Sequence, residues 1–215
     1  MFVCLLLLCN LTLLAQTAAD PRFVRIAGKS AIHVPPQDVP AGLKKIYSNL
    51  SASKTDLYND LGGWRIAGPS GSVSYFIAMP FTPKFDSHVS QARVAVQYFF
   101  LGANQVNLSI YGDSGGVPGT LLAGPVTVTN LPDSGTCCTL AVADFTPVAA
   151  TGGTQYWVVA DTPPTGEGSD FNGVWATVAT PVIPLAGYSN FDNDDVWIAL
   201  NGDKRPAGEV LGTIP

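Results

Sequence analysis

The residues with the most chemistry in them are carboxylates. Asp192, Asp194 and Asp195 fall within Asn190-Phe191-Asp192-Asn193-Asp194-Asp195, beside two amides. Packed carboxylates repel one another, and a cation or solvent relieves that repulsion. The spacing Asp192-x-Asp194 resembles the start of a calcium loop, without the glycine and distal glutamate of an EF-hand. Asp113 stands in Tyr111-Gly112-Asp113-Ser114-Gly115-Gly116-Val117-Pro118-Gly119. Glycines there let the backbone turn sharply and aim carbonyls inward, as a hard cation requires. The plainer role for Asp113 is a turn cap accepting backbone N–H groups, since one carboxylate falls far short of the roughly six to eight oxygens of calcium. Asp113, Asp192 and Asp194 are therefore the candidate Ca2+ ligands, with solvated acidic loops as the alternative. Asp161 and Asp170 join them if loops at one end of the fold converge.

Cys137 and Cys138 are adjacent. Neighbouring Cα atoms lie about 3.8 Å apart, below the usual disulfide window of roughly 4.4–6.8 Å. In an extended strand the two side chains would point to opposite faces, so a bridge between them needs a turn. Asp133-Ser134-Gly135 supplies a plausible one. A vicinal disulfide and a plain structural kink both remain open, and a catalytic redox role is not expected without a Cys-x-x-Cys pair.

The aromatic residues Trp64, Trp157, Trp175 and Trp197, with Tyr47, Tyr58, Tyr111, Tyr156 and Tyr188, have the chemistry to stack on sugar rings. Most aromatics in a small β-domain fill its core. Tyr156 and Trp157 are neighbours, so on a strand one faces in and the other out. Trp175 follows the loop-like stretch 162–170 and is the expected exposed platform, with Tyr156 and Tyr188 as further candidate ligand-binding residues. Hydrolytic chemistry has little support. His33 falls in a proline-broken segment and His88 in a Pro/Ser-rich stretch read as loop, and the glutamates are Glu167 and Glu209. No aspartate pair stands out for glycoside cleavage, and zinc needs more His or Cys than are available. The expectation is a protein that is not an enzyme.

These groups must be positioned by strands. Val106, Leu108 and Ile110 alternate with Asn107, Ser109 and Tyr111, a period of two that gives a strand one core face. Residues 94–101 read the same way, and the turn at 102–104 suggests a hairpin between the two runs. Further strands are expected near 46–50, 64–66, 74–81, 121–129, 138–144, 155–160, 173–177, 196–200 and 209–213, separated by Gly/Pro turns. No stretch of useful length keeps a 3.6-residue apolar period. The fold class is therefore all-β, a single antiparallel β-sandwich or jelly-roll-like domain of about ten short strands. It occupies residues 46–215, after a linker or N-terminal arm at 20–45 that Pro35, Pro36 and Pro40 interrupt, with one short strand near 23–26. A domain of this length buries roughly 70 % of its unfolded surface and needs no metal or disulfide to have a core.

Residues 1–19 read as a signal peptide. The apolar run 2–14 is shorter than the about 20 residues of a membrane-spanning helix, and Thr17 and Ala19 suit a cleavage site after Ala19. The mature chain has no expected membrane span. Only 13% of residues are charged, and from Val94 to Gly202 there is no Lys or Arg against nine carboxylates. Such a surface repels a phosphate backbone, so nucleic acid is not an expected partner.

Taken in order, Ile46-Tyr47-Ser48-Asn49-Leu50, Gly63-Trp64-Arg65-Ile66-Ala67-Gly68, Pro80-Phe81-Thr82-Pro83, Asp113-Ser114-Gly115-Gly116-Val117-Pro118-Gly119, Cys137-Cys138 and Gly153-Thr154-Gln155-Tyr156-Trp157-Val158-Val159 resemble bacterial choice-of-anchor proteins, most closely those of type R. The resemblance spans residues 46–213 and implies an exported, secreted or surface-exposed β-sandwich without an established enzymatic activity. Members often end in a Pro-rich motif, an apolar span and a basic tail. This chain ends Val210-Leu211-Gly212-Thr213-Ile214-Pro215, so release into the periplasm or medium is expected rather than anchoring. The expected function is a non-enzymatic module that binds a ligand or surface, with a glycan or cell-surface component as partner, through loops at one end of the sandwich. The alternative is a structural, self-assembling matrix protein that forms homo-oligomers through strand edges.

Overall fold

The computed structural model describes residues 20, 22–26, 32–35, 37–53, 55–70, 74–178, 188–191, 196–200 and 204–215. Residues 1–19, read above as a signal peptide, and the aspartates Asp192 and Asp194 lie outside them, as do the side chains of residues 188–191. The described residues are all-β, with sixteen strands: β1 (Phe23–Arg25), β2 (Ile32–His33), β3 (Lys44–Ser48), β4 (Asn59–Ala67), β5 (Tyr75–Phe81), β6 (Ser87–Val94), β7 (Val96–Leu101), β8 (Gln105–Asp113), β9 (Pro118–Thr129), β10 (Thr136–Cys137), β11 (Ala141–Ala150), β12 (Tyr156–Asp161), β13 (Asn172–Thr177), β14 (Tyr188–Phe191), β15 (Trp197–Ala199) and β16 (Gly208–Thr213).

Two antiparallel sheets enclose one core. The larger runs β7-β13-β4-β5-β12-β8-β9, with β1 on β4 and the β14–β15 pair on β5; the smaller runs β11-β6-β16-β3. Val106, Leu108 and Ile110 of β8, Ile77, Met79 and Phe81 of β5, and Val158 and Ala160 of β12 point into the core, where they meet Val89, Ala92 and Val94 of β6 and Val210 of β16. Period-two alternation therefore leaves Tyr111 of β8, Phe76 and Ala78 of β5, and Trp157, Val159 and Asp161 of β12 on the opposite, outer face.

Three sequence expectations are corrected by the fold. β7 and β8 do not form a hairpin: β7 lies at one end of the large sheet beside β13, and β8 lies between β12 and β9. Residues 102–104 connect them across the open side of the curled sheet, a path of four Cα steps that reaches at most about 15 Å. Residues 132–134 line that opening, with Tyr98 N–H donating to Pro132 O at 2.9 Å and Ser134 N–H donating to Tyr98 O at 2.9 Å. The run beginning at Val94 is also not one strand. At Ala95 the chain leaves the small sheet for the large one, its N–H donating to Ala207 O at 3.0 Å and its carbonyl accepting from Ala176 N–H at 2.9 Å. Such corners let one run of chain serve two sheets.

The third correction is His88, which lies on β6 rather than in a loop and is exposed. β6 is a central strand of the small sheet, yet it carries the buried polar residues Ser87, Gln91 and Arg93. Its apolar phase shifts from Val89 to Ala92, where the register slips against both β11 and β16. The opposing Gly212 admits the bulge, since a Cβ there would collide with the His88 carbonyl. On the outer face of this sheet Arg93 Nη1 lies 3.5 Å from Glu209 Oε1 and Lys45 Nζ 2.8 Å from Glu209 Oε2. Arg93 also donates to Gln91 Oε1 at 2.6 Å, and to Gln37 O at 3.2 Å and Asp38 O at 3.0 Å. The segment read as a linker is thus held against the domain. β1 adds to it, pairing Phe23 with Trp64 in register and stacking the two rings edge to face at 5.1 Å.

Candidate functional site

A cavity of about 500 Å³ opens on the outer face of the large sheet. Its floor comes from the outward side chains of β12 and β8: Val159 and Asp161, with Tyr111 on the neighbouring strand. Register explains the grouping. Trp157 pairs with Tyr111, and Asp161 with Asn107, in the β12–β8 ladder, while Val159 pairs with Ala78 of β5 on the other side. Phe76 adds a second ring from β5, and the half-buried Trp197 of β15 a third. Two loops close the rim, 117–119 from the β8–β9 turn and Thr162 with Pro164 from the stretch after β12. Beneath them Ala78, Trp157 and Val159 form a small apolar cluster separate from the main core, with Tyr111 and Trp197 against it.

The β8–β9 turn owes its shape to Asp113. Its Oδ1 accepts the Trp157 indole N–H at 2.9 Å and the Gln155 amide at 2.8 Å, and its Oδ2 accepts Gly116 N–H at 3.0 Å. Burial opposes its charge, but the donors from Gly116, Trp157 and Gln155 outweigh that and hold the carboxyl below its ordinary range. Asp113 thus acts as the turn cap. No group of three or more metal-ligating side chains forms among the described residues.

Asp161 behaves in the opposite way. Burial pushes its carboxyl up to about 6, and the Asn107 amide offsets this only partly. Tyr111 is likewise raised, first by burial and then by the Asp161 charge. Among the described residues no lysine or arginine lines the cavity, and none of the ion pairs involves Asp161. Thr162 is buried, and its Oγ1 has no hydrogen-bond partner among the described residues. The site therefore offers aromatic walls and one desolvated carboxylate.

The sequence-derived candidates are scattered by the fold. Trp175 is no exposed platform. It is completely buried on β13, with its indole N–H donating to Ala207 O at 2.8 Å. β13 is an internal strand, paired with β4 on one side and β7 on the other, and Trp175 belongs to the main core, which the loop-like stretch before it does not reveal. Tyr156 faces the core, stacked on Phe81 at 5.7 Å, with its hydroxyl accepting Thr151 N–H at 2.9 Å. The backbone of Tyr188 pairs with Ala78 beside the cavity. Asp170 is engaged elsewhere, accepting Ala103 N–H at 2.9 Å.

Cys137 and Cys138 are bonded to each other across a cis peptide bond, with Cα atoms 3.1 Å apart. The turn at 133–135 precedes them, and both are buried. The buried Gln97 holds this loop, its amide donating to Thr136 O at 2.7 Å and its carbonyl accepting Gly135 N–H at 3.1 Å. β2 zips onto β10 here in parallel, with Val34 N–H donating to Cys137 O at 2.7 Å. Residues 112–116 spell Gly-x-Ser-x-Gly, the string of a hydrolase nucleophile elbow. An elbow needs a strand-to-helix turn, whereas Ser114 sits between two antiparallel strands with its N–H donating to Val117 O at 2.8 Å.

No family model matches the chain, and neither the curated proteins nor the solved structures contain a match to it.

Proposed function

We propose that this chain is a secreted or surface-exposed, non-enzymatic β-sandwich that binds a small ligand, with a sugar ring as the favoured class, in the cavity above β5, β12 and β8. The observation that carries the reading is the convergence of Phe76, Tyr111 and Trp197 around Asp161. The cavity volume falls within the roughly 300–1,000 Å³ common to small-molecule sites, and its floor lies on strands rather than loops. Sugar rings present apolar faces that stack on aromatic side chains and hydroxyls that seek carboxylates. The leader-like segment 1–19 and the bonded Cys137–Cys138 pair support export to an oxidising compartment. The ordered resemblance to exported choice-of-anchor proteins points the same way.

Calorimetric titration of the purified protein against a panel of soluble oligosaccharides tests the reading. Saturable binding of one member, lost in Trp197→Ala and weakened in Tyr111→Phe without loss of the folded circular-dichroism spectrum, is the expected result. A panel without a single binder, or binding indifferent to both substitutions, overturns it.

A further inference from the structure

We infer that the ligand group seated against Asp161 is an organic ammonium cation, held by that carboxylate and the faces of the surrounding aromatic rings. This rests on the cavity being a ligand site and names the chemistry of its occupant.

Three observations converge. Asp161 is a largely desolvated carboxylate with an amide, Asn107, as its hydrogen-bonding neighbour and no cation among the described residues lining the cavity beside it. A buried carboxylate without a cation is costly, and an incoming positive charge removes that cost. Around it stand Tyr111, Phe76 and Trp197, and ring faces attract a cation through their quadrupoles, most strongly once water is excluded. The strands and loops that build the site fall in two stretches, β5 and residues 94–202, and neither contains a Lys or Arg that would compete for it. A neutral sugar satisfies the rings but leaves the carboxylate uncompensated; an ammonium group satisfies both. Amino sugars and small quaternary amines share this chemistry.

Occupancy should follow the Asp161 charge. Among the described side chains, the other titratable groups on the outer side of the elements around it are Tyr111, raised above its ordinary range, and Asp113, already ionised under its three donors, whereas Tyr156 of β12 faces the core and Tyr75 of β5 shares the inward phase of Ile77. Glu167 and Asp170 of the following loop do not line the cavity, and β5 and β15 present Phe76 and Trp197 there.

The test is a titration of the purified protein with a glucosamine oligomer, its N-acetylated counterpart, a cello-oligomer of equal length, and choline. Cationic ligands should bind about tenfold more tightly than the neutral oligomers. Asp161→Asn should erase that preference, and choline, whose charge does not titrate, should bind more tightly at pH 7.5 than at pH 4.5. Preference for both the glucosamine oligomer and choline supports the inference for any ammonium ligand. Preference for choline alone supports it too, while removing the sugar from the proposed function. Equal binding of neutral and cationic oligomers, or a preference that survives Asp161→Asn, overturns the inference and leaves a ligand site standing. No binding by any of the four overturns both.

Discussion

Trp157 donates its indole N–H to Asp113 Oδ1 at 2.9 Å, joining the outer face of β12 to the turn that closes the cavity rim. The same carboxylate caps Gly116 N–H in the turn itself. One side chain therefore sets both the shape of the loop and its position over the sheet, and the cavity depends on it.

Replacing Asp113 by Ala removes an acceptor from a buried indole and from the turn. Lost hydrogen bonds to a buried donor cost about 1–3 kcal/mol, or a fall of roughly 2–4 °C per kcal/mol in a chain of this size. Asp113→Asn, which keeps one acceptor oxygen, should lose less. Thermal melts of both variants check this. A Ca2+-dependent shift of several degrees in Asp113→Ala and wild type alike would place any metal elsewhere, with Asp192 and Asp194 as the candidates for it.

Asp161 should make the protein less stable as the pH rises. Its folded carboxyl, at about 6, lies above the ordinary 3.8. The folded state therefore holds the proton more tightly between these values, and that stabilisation is complete below 3.8 and lost as the pH climbs through about 6. Two units at about 1.4 kcal/mol each give about 3 kcal/mol. Asp161→Asn, neutral throughout, should melt higher than wild type at pH 7.5 and close to it at pH 3.5. A difference that does not change with pH would contradict the burial of an ionised Asp161.

Glu209 lies buried between Arg93 and Lys45 on the small sheet. Glu209→Ala leaves the Arg93 charge in a site with little water, and losing one partner of a buried pair costs about 3–5 kcal/mol. Removing both charges, as Arg93→Met with Glu209→Met, should recover much of that stability, measured by urea unfolding. Arg93→Met alone should also free residues 37–38 to limited proteolysis, because their carbonyls lose the guanidinium.

Trp175→Ala should cost about 3–5 kcal/mol through the cavity it leaves. Trp175→Phe should cost less and leave ligand affinity as in wild type, since the ring belongs to the core and not to the site. Titration of both variants with whatever ligand the oligosaccharide panel identifies separates the two roles.

Cys137 and Cys138 are buried beneath β2 and the 133–135 turn. Their disulfide should resist dithiothreitol in the folded protein and yield to it in 6 M guanidinium, read by mass spectrometry as a gain of two hydrogens. Rapid reduction of the native protein would show that the loop opens.

Much of the fold was legible because side-chain alternation reports directly on which face a strand buries. Val106, Leu108 and Ile110 all point inward, and Tyr111, the next residue along, reaches the cavity from the other face. β6 was not legible, since its bulge breaks the period at Ser90-Gln91 and its outer face buries an arginine under residues 37–38. The pairing of β7 and β8 was misread because a short glycine turn between alternating runs signals a hairpin, and nothing local reveals that the sheet curls until its ends approach.

The candidate site divides along the same line. The chain by itself determined the all-β class, the capping role open to Asp113, the turn before the paired cysteines and the absence of cations from Val94 to Gly202, because each depends on neighbours in sequence. Only the tertiary structure decided that Phe76, Tyr111, Asp161 and Trp197 share one cavity while Trp175 lies in the core. Those four residues come from four different strands, and the surroundings of a ring or a carboxylate are set by strand order and register, which no local spacing encodes.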